Sequence, residues 1–139
     1  MSGIVKPIVK TSVSAAKSFH EPVELVFIDG AHEYRQVKAD FEAWFPKVID
    51  GGTMAFHDTT FWPGPRRVVK ESLFNSRRFK DIGFIDSITF ATKVRENSAG
   101  DRTRNKYVLL LKSLYESSAR LNLPAPVKRI GKKIAGRVQ

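Results

Sequence analysis

Cysteine is absent from the chain, so neither a disulfide framework nor a thiolate zinc site can form, and the redox state of the compartment leaves no trace in the sequence. No segment approaches the roughly 20 apolar residues that a membrane-spanning helix needs, and the N-terminus lacks the apolar run of a signal peptide. A soluble, cytoplasmic chain with no membrane partner is expected. Acid is scarce too: 14 Asp+Glu against 24 Lys+Arg give a net charge of +10. The deficit is uneven. Residues 128–137 carry five bases (Lys128, Arg129, Lys132, Lys133, Arg137) and no acid, whereas residues 21–58 are acid-rich. The excess reads first as a solvated tail, and nucleic acid or an acidic partner would enter only through it. Gly-x-Gly occurs nowhere. At 139 residues and 42% hydrophobic, the chain has the size of one domain with a single core.

Residues 24–58 organise the rest. Leu25, Val26, Phe27 and Ile28 form an apolar run that stops at Asp29-Gly30, the pattern of a parallel strand buried on both faces and ending at a polar rim. Tyr34, Val37, Phe41, Trp44, Phe45 and Val48 then recur at helical spacing, with Pro46 dividing the helix and Gly51-Gly52 ending it. Thr53, Met54, Ala55 and Phe56 make a second short strand, closed by His57-Asp58. A strand, a crossover helix and a strand form a βαβ unit, right-handed by the usual chirality. Both strands carry their ionisable groups at the carboxyl end, where ligands of open α/β sheets bind.

Around this unit, residues 4–10 read as an edge strand interrupted by Pro7, and Thr11-Ser12 caps a short helix over residues 13–19. After Asp58 an aromatic loop with Phe61 and Trp62 leads to a helix over residues 66–74. Residues 82–85 and 88–94 flank Asp86-Ser87 as an antiparallel hairpin. Residues 97–104 are polar and read as mobile, and residues 107–121 are helical. The organisation expected is an α/β domain over residues 1–96, a helical extension over 97–123 and a basic tail over 124–139.

Neighbouring parallel strands would bring Asp29, His32, His57 and Asp58 together, their ends about 5 Å apart. Asp29 and Asp58 can share a hard cation such as Mg²⁺, with His57 as a further ligand or a structural donor. A cation there would lower the pKa of a substrate hydroxyl, with His32 as general base. Each residue also has a structural reading: Asp29 as strand terminator and helix cap, His32 as helix start, His57 as a satisfied buried histidine, Asp58 as loop cap, and Phe61-Trp62 as packing rather than a substrate wall. Two histidines and a carboxylate would instead suit Fe²⁺ in a hydrolase or oxygenase-like site.

The order of strand ending Asp29-Gly30-x-His32, helix with Tyr34 and Asp40, Gly51-Gly52, strand ending His57-Asp58, loop, helix and terminal hairpin resembles the second half of class I S-adenosylmethionine-dependent methyltransferases. The subgroup similar to macrocin and catechol-type O-methyltransferases is closest. The resemblance covers roughly residues 23–94. It implies an α/β, partial Rossmann-like fold with parallel strands and a C-terminal antiparallel β-hairpin. It also implies an enzyme transferring a methyl group from S-adenosylmethionine to a small-molecule hydroxyl, with strand-end acids (Asp29, Asp58) on a divalent metal and His32 as base. The family's Gly-rich turn and ribose-holding acid have no counterpart here, and only 22 residues precede Val23. The chain thus reads as a methyltransferase whose first two strands are missing. Its cofactor-binding residues are unassigned, and a lost sheet edge is expected to invite self-association or a partner chain. A degenerate, non-catalytic methyltransferase acting as a binding module remains the alternative.

Overall fold

The computed structural model describes residues 4–121; the basic tail over residues 124–139 lies outside them. The elements in chain order are α1 (Ser12–Ser18), β1 (Val23–Ile28), α2 (Tyr34–Trp44), β2 (Val48–Phe56), α3 (Pro63–Val69), β3 (Phe79–Ile85), β4 (Ile88–Lys93) and α4 (Ala99–Arg120). They build an α/β fold around one mixed sheet of order β1-β2-β4-β3. β1 and β2 are parallel, as the βαβ reading requires, and the hairpin runs antiparallel with β4 against β2 and β3 outermost.

α2 forms because Val37 and Phe41 repeat on one face and are buried. Pro46 then tightens the chain into a 3₁₀ turn at Phe45–Lys47. The carbonyls left open at this end are taken up by Lys93 of β4, whose buried Nζ donates to Phe45 O at 2.9 Å and Val48 O at 2.6 Å. Burial holds the Lys93 pKa below its ordinary value. The core then joins α2 to Val68, Val69 and Leu73 from the α3 region, to Met54, Phe56, Phe79, Ile82 and Phe84 of the sheet, and to Val108 of α4.

Four expectations are corrected. Residues 4–10 form no strand, and Ile4, Val5 and Val9 are 88, 85 and 97% exposed; Pro7 cannot donate to a ladder. β1 is not buried on both faces, since Leu25 and Phe27, which share one face, are 61 and 48% exposed. Among the described residues α2 packs against β1 and the face with Leu25 and Phe27 is left open, so its apolar run is covered on one face only. Gly51-Gly52 does not lie between helix and strand but inside β2, where Gly51 has φ +89° and a Cβ on Gly52 would lie 2.8 Å from Val48 Cγ1 and 2.9 Å from Glu24 O. The pairing steps from Val23↔Val48 to Leu25↔Thr53, so two residues of β1 are matched by five of β2, a bulge that needs glycine. Finally, residues 97–104 are ordered. Ser98 and Asp101 form a reciprocal capping box, and Asn97 is buried, its side chain donating to Ser76 O and Phe79 O. The polar residues start α4 a full two turns earlier than apolar periodicity indicates.

α4 is tied to the hairpin turn by Tyr115, whose hydroxyl donates to Asp86 Oδ1 at 2.8 Å. Burial, then the hydrogen bond to and charge of Asp86, push its pKa from 10.0 up to about 12. The folded phenol therefore keeps its proton where the unfolded one has lost it, and the contribution to stability is complete below pH 10.0 and vanishes as pH rises to about 12. Tyr115→Phe is expected to flatten that alkaline limb, measured by urea unfolding across the window. An unchanged slope would show that the hydroxyl does not couple folding to pH.

Candidate metal and active site

Site geometry begins with register. Ile28 pairs with Phe56, and the His57 N–H donates to Ile28 O at 3.0 Å, so β1 and β2 end level. Asp29 leaves the first strand as His57 and Asp58 leave the second. One ligand atom from each of Asp29, His57 and Asp58 lies within 4.8 Å of the others. His57 Nδ1 is 3.1 Å from Asp58 Oδ2 and 3.4 Å from Asp29 Oδ1. Yet it is buried without a hydrogen-bond partner, because neither carboxylate oxygen has the direction that a ring N–H requires. The three groups are thus close together without being paired through His57 Nδ1.

The other ring nitrogen, His57 Nε2, lies 3.3 Å from Ser87 Oγ in the hairpin turn. A proton on Nε2, donated to Ser87, leaves the Nδ1 lone pair facing the two carboxylates, the outer-contact arrangement usual for metal-binding histidines. His32 stands outside the three-residue group. Its Nε2 is 2.7 Å from Asp58 Oδ2, and its ring stacks on Trp62 with centroids 4.2 Å apart and planes 15° from parallel. Trp62 is thus the wall that fixes the imidazole, while Phe61 is 55% exposed.

Asp58 carries the greatest constraint. Its φ is +57°, a left-handed geometry that a non-glycine residue adopts at a cost of about 1–3 kcal/mol and that gathers at functional sites. Burial pushes its pKa up, but the hydrogen bond from His32 and the proximity of the two imidazoles outweigh that and hold it below the usual range. The backbone is held from the C-terminal side. Thr59 Oγ1 donates to Ser87 O at 2.9 Å, Thr60 Oγ1 donates to Asp86 O at 2.7 Å, and the buried Lys112 of α4 donates to Thr59 O at 2.9 Å.

Sequence reasoning singled out Asp29, His32, His57 and Asp58, and the structure brings all four to one sheet edge. It missed Ser87, Lys112 and Gly64, whose sequence neighbourhoods give no sign of distant contacts. Gly64 lies in the first turn of α3, and a Cβ there would stand 2.0 Å from His32 O and 2.8 Å from Tyr34 N. Only a residue without a side chain lets α3 press against the backbone that carries His32. Gly64→Ala is expected to destabilise the fold by about 1–3 kcal/mol. Gly100→Ala is the control, since its nearest neighbour would be Ser98 Oγ at 3.6 Å, and a helical alanine there is neutral or stabilising by up to about 1 kcal/mol. Equal melting temperatures for both variants would contradict the close-approach argument.

Residues 1–59 match the family described as "Methyltransferase domain". Two solved structures of the MycE methyltransferase from the mycinamycin biosynthetic pathway are similar in fold. One, in complex with Mg, SAH and mycinamycin VI, aligns with TM-score 0.50 and 23% identity over 64% of this chain. The other, with Mg and SAH, gives 0.51 and 24% over the same share. In each case the chain spans 30% of the MycE chain. An uncharacterized protein, y4gI of Sinorhizobium fredii (strain NBRC 101917 / NGR234), is 51% identical over 37 residues, 27% of this chain and 4% of that protein. No helix among the described residues is long and apolar enough to cross a membrane. Residues 1–59, through the Asp58 turn, are thus similar to a methyltransferase domain, and the chain has a partial methyltransferase-like α/β fold.

Proposed function

We propose that this chain forms the metal- and acceptor-binding part of an S-adenosylmethionine-dependent O-methyltransferase acting on a small-molecule hydroxyl. The observation that carries the reading is the convergence of Asp29, Asp58 and the unpartnered Nδ1 of His57 at the ends of two parallel strands. Two carboxylates and one imidazole form the group, with His32 outside it. That donor set favours a hard, oxygen-preferring cation such as Mg²⁺ over the two-histidine, one-carboxylate set of an Fe²⁺ site. The crystallised MycE complexes contain Mg, which supports the same choice.

When bound, such a cation supplies charge that acidifies a coordinated hydroxyl. The chain's own residues then have separable tasks. Asp29, His57 and Asp58 hold the charge, and Ser87 fixes the tautomer of His57. His32, donating Nε2–H to Asp58, presents Nδ1 to take the acceptor's proton, and the Asp58 carboxylate stabilises the imidazolium that results. Trp62 keeps the imidazole in plane. The fit to S-adenosylmethionine is different: the sequence contains no Gly-x-Gly turn, and Rossmann-like folds bring the backbone close to the cofactor at such a turn and hold its ribose with an acidic residue beyond it. The described residues give an acceptor and metal side without that anchor.

Titration calorimetry with Mg²⁺ and Mn²⁺ at about millimolar concentration is expected to show saturable binding. Asp58→Asn, which keeps a side chain tolerant of positive φ, should weaken it by about tenfold or more, at least as much as loss of an outer-contact partner usually costs. Absence of binding, or binding indifferent to Asp58→Asn, would remove the metal role and leave a non-catalytic binding module as the better account. Loss of a ribose anchor, at roughly 1.5–3 kcal/mol for a charge-assisted hydrogen bond, lowers affinity by about tenfold or more. The isolated chain is therefore expected to bind S-adenosylmethionine with no saturation at micromolar concentration; micromolar affinity by equilibrium dialysis would mean that other residues build the cofactor site.

A further inference from the structure

We infer that the outward face of α4 is a docking surface for an acidic amphipathic helix of another protein. Tyr107, Leu110, Leu114 and Leu121 are 60, 56, 60 and 59% exposed. At 100° per residue their side chains fall within a sector of about 60°, opposite the buried Asn105, Val108 and Lys112, and with Ser117 they keep a strict alternation of three and four. The stripe runs for about 21 Å along the helix. A stripe of large apolar residues at that spacing is the seam of a helix pair, whereas a helix facing only water needs none.

Charge selects the occupant. Lys106 and Arg120 border the stripe on one side, and Arg104, which also donates to Ile82 O, lies on the other. The two acids of α4 are engaged elsewhere, Asp101 in the capping box and Glu116 on Lys112. The exposed charge flanking the stripe, that of Lys106 and Arg120, is thus basic among the described residues. A second copy of this chain would set Lys106 and Arg120 against their own equivalents, or against Arg104, in a protein of net charge +10. A helix with apolar a and d positions and Glu or Asp at e and g meets the same stripe with opposite charge. The leucines would supply affinity, and the charges would choose the partner.

The test uses the full chain and two fluorescein-labelled synthetic heptad helices, both with Leu at a and d, one with Glu and one with Lys at e and g. Fluorescence anisotropy is expected to show binding of the Glu helix, weakening as salt rises, and none of the Lys helix. Leu110→Ser combined with Leu114→Ser, both on the exposed face, should weaken binding by about tenfold or more while circular dichroism and melting temperature stay unchanged. The inference is overturned if neither helix binds, if both bind equally, or if the double substitution leaves binding intact. It is also overturned if sedimentation equilibrium reveals a dimer that the same substitution disperses, since a second copy would then be the occupant.

Discussion

A single backbone hydrogen bond, His57 N–H to Ile28 O, fixes the relation on which the candidate site depends. Because side chains alternate along a strand, a slip of one residue in the pairing of β1 with β2 would turn His57 away and move Asp58 by one strand position. The level pairing Ile28↔Phe56 is protected from slipping by the bulge at its other end. The Gly51-Gly52 kink absorbs the extra residues of β2 before the paired segment begins, and Lys93 fastens the entry to the strand by bonding Phe45 O and Val48 O. The chain therefore spends two glycines and a buried lysine some distance from the site to keep three ligand atoms together.

What could be read from the sequence follows from which signals are local. The apolar runs ending in Asp29-Gly30 and His57-Asp58, the helix between them and the Asp86-Ser87 hairpin are written in consecutive residues, and all are present, although Val48, read as the end of the helix, opens β2. Failures occur where the deciding partner is distant. Gly51-Gly52 looks like a helix breaker until Glu24 O is seen 2.9 Å from the missing Cβ of Gly52. Residues 97–104 look mobile because their polarity masks a capping box and a buried Asn97 whose acceptors sit on Ser76 and Phe79. β1 reads as a doubly buried strand because hydrophobicity alone does not say which faces of a strand are covered; Leu25 and Phe27 are apolar and still half exposed.

The candidate site shows the same division. Asp29, His57 and Asp58 are visible as strand-end residues. That His32 bonds Asp58 and is stacked by Trp62 depends instead on Gly64 admitting α3 to within contact of the His32 carbonyl. The positive φ of Asp58 belongs to this class as well. Nothing about an aspartate before two threonines announces left-handed backbone, yet those threonines are what hold it, through Ser87 O and Asp86 O.

This arrangement makes the C-terminal helix part of the site's support. Lys112 lies 2% exposed, and burial pulls its pKa down against the opposing pull of Glu116. A lysine in that setting is costly unless its donors are used, and here they reach Thr59 O, one residue from Asp58, and Glu116. Tyr115, one helical turn on, holds Asp86 in the hairpin turn that carries Ser87. The turn bearing Asp58 and the turn bearing the partner of His57 are therefore both braced by adjacent turns of α4.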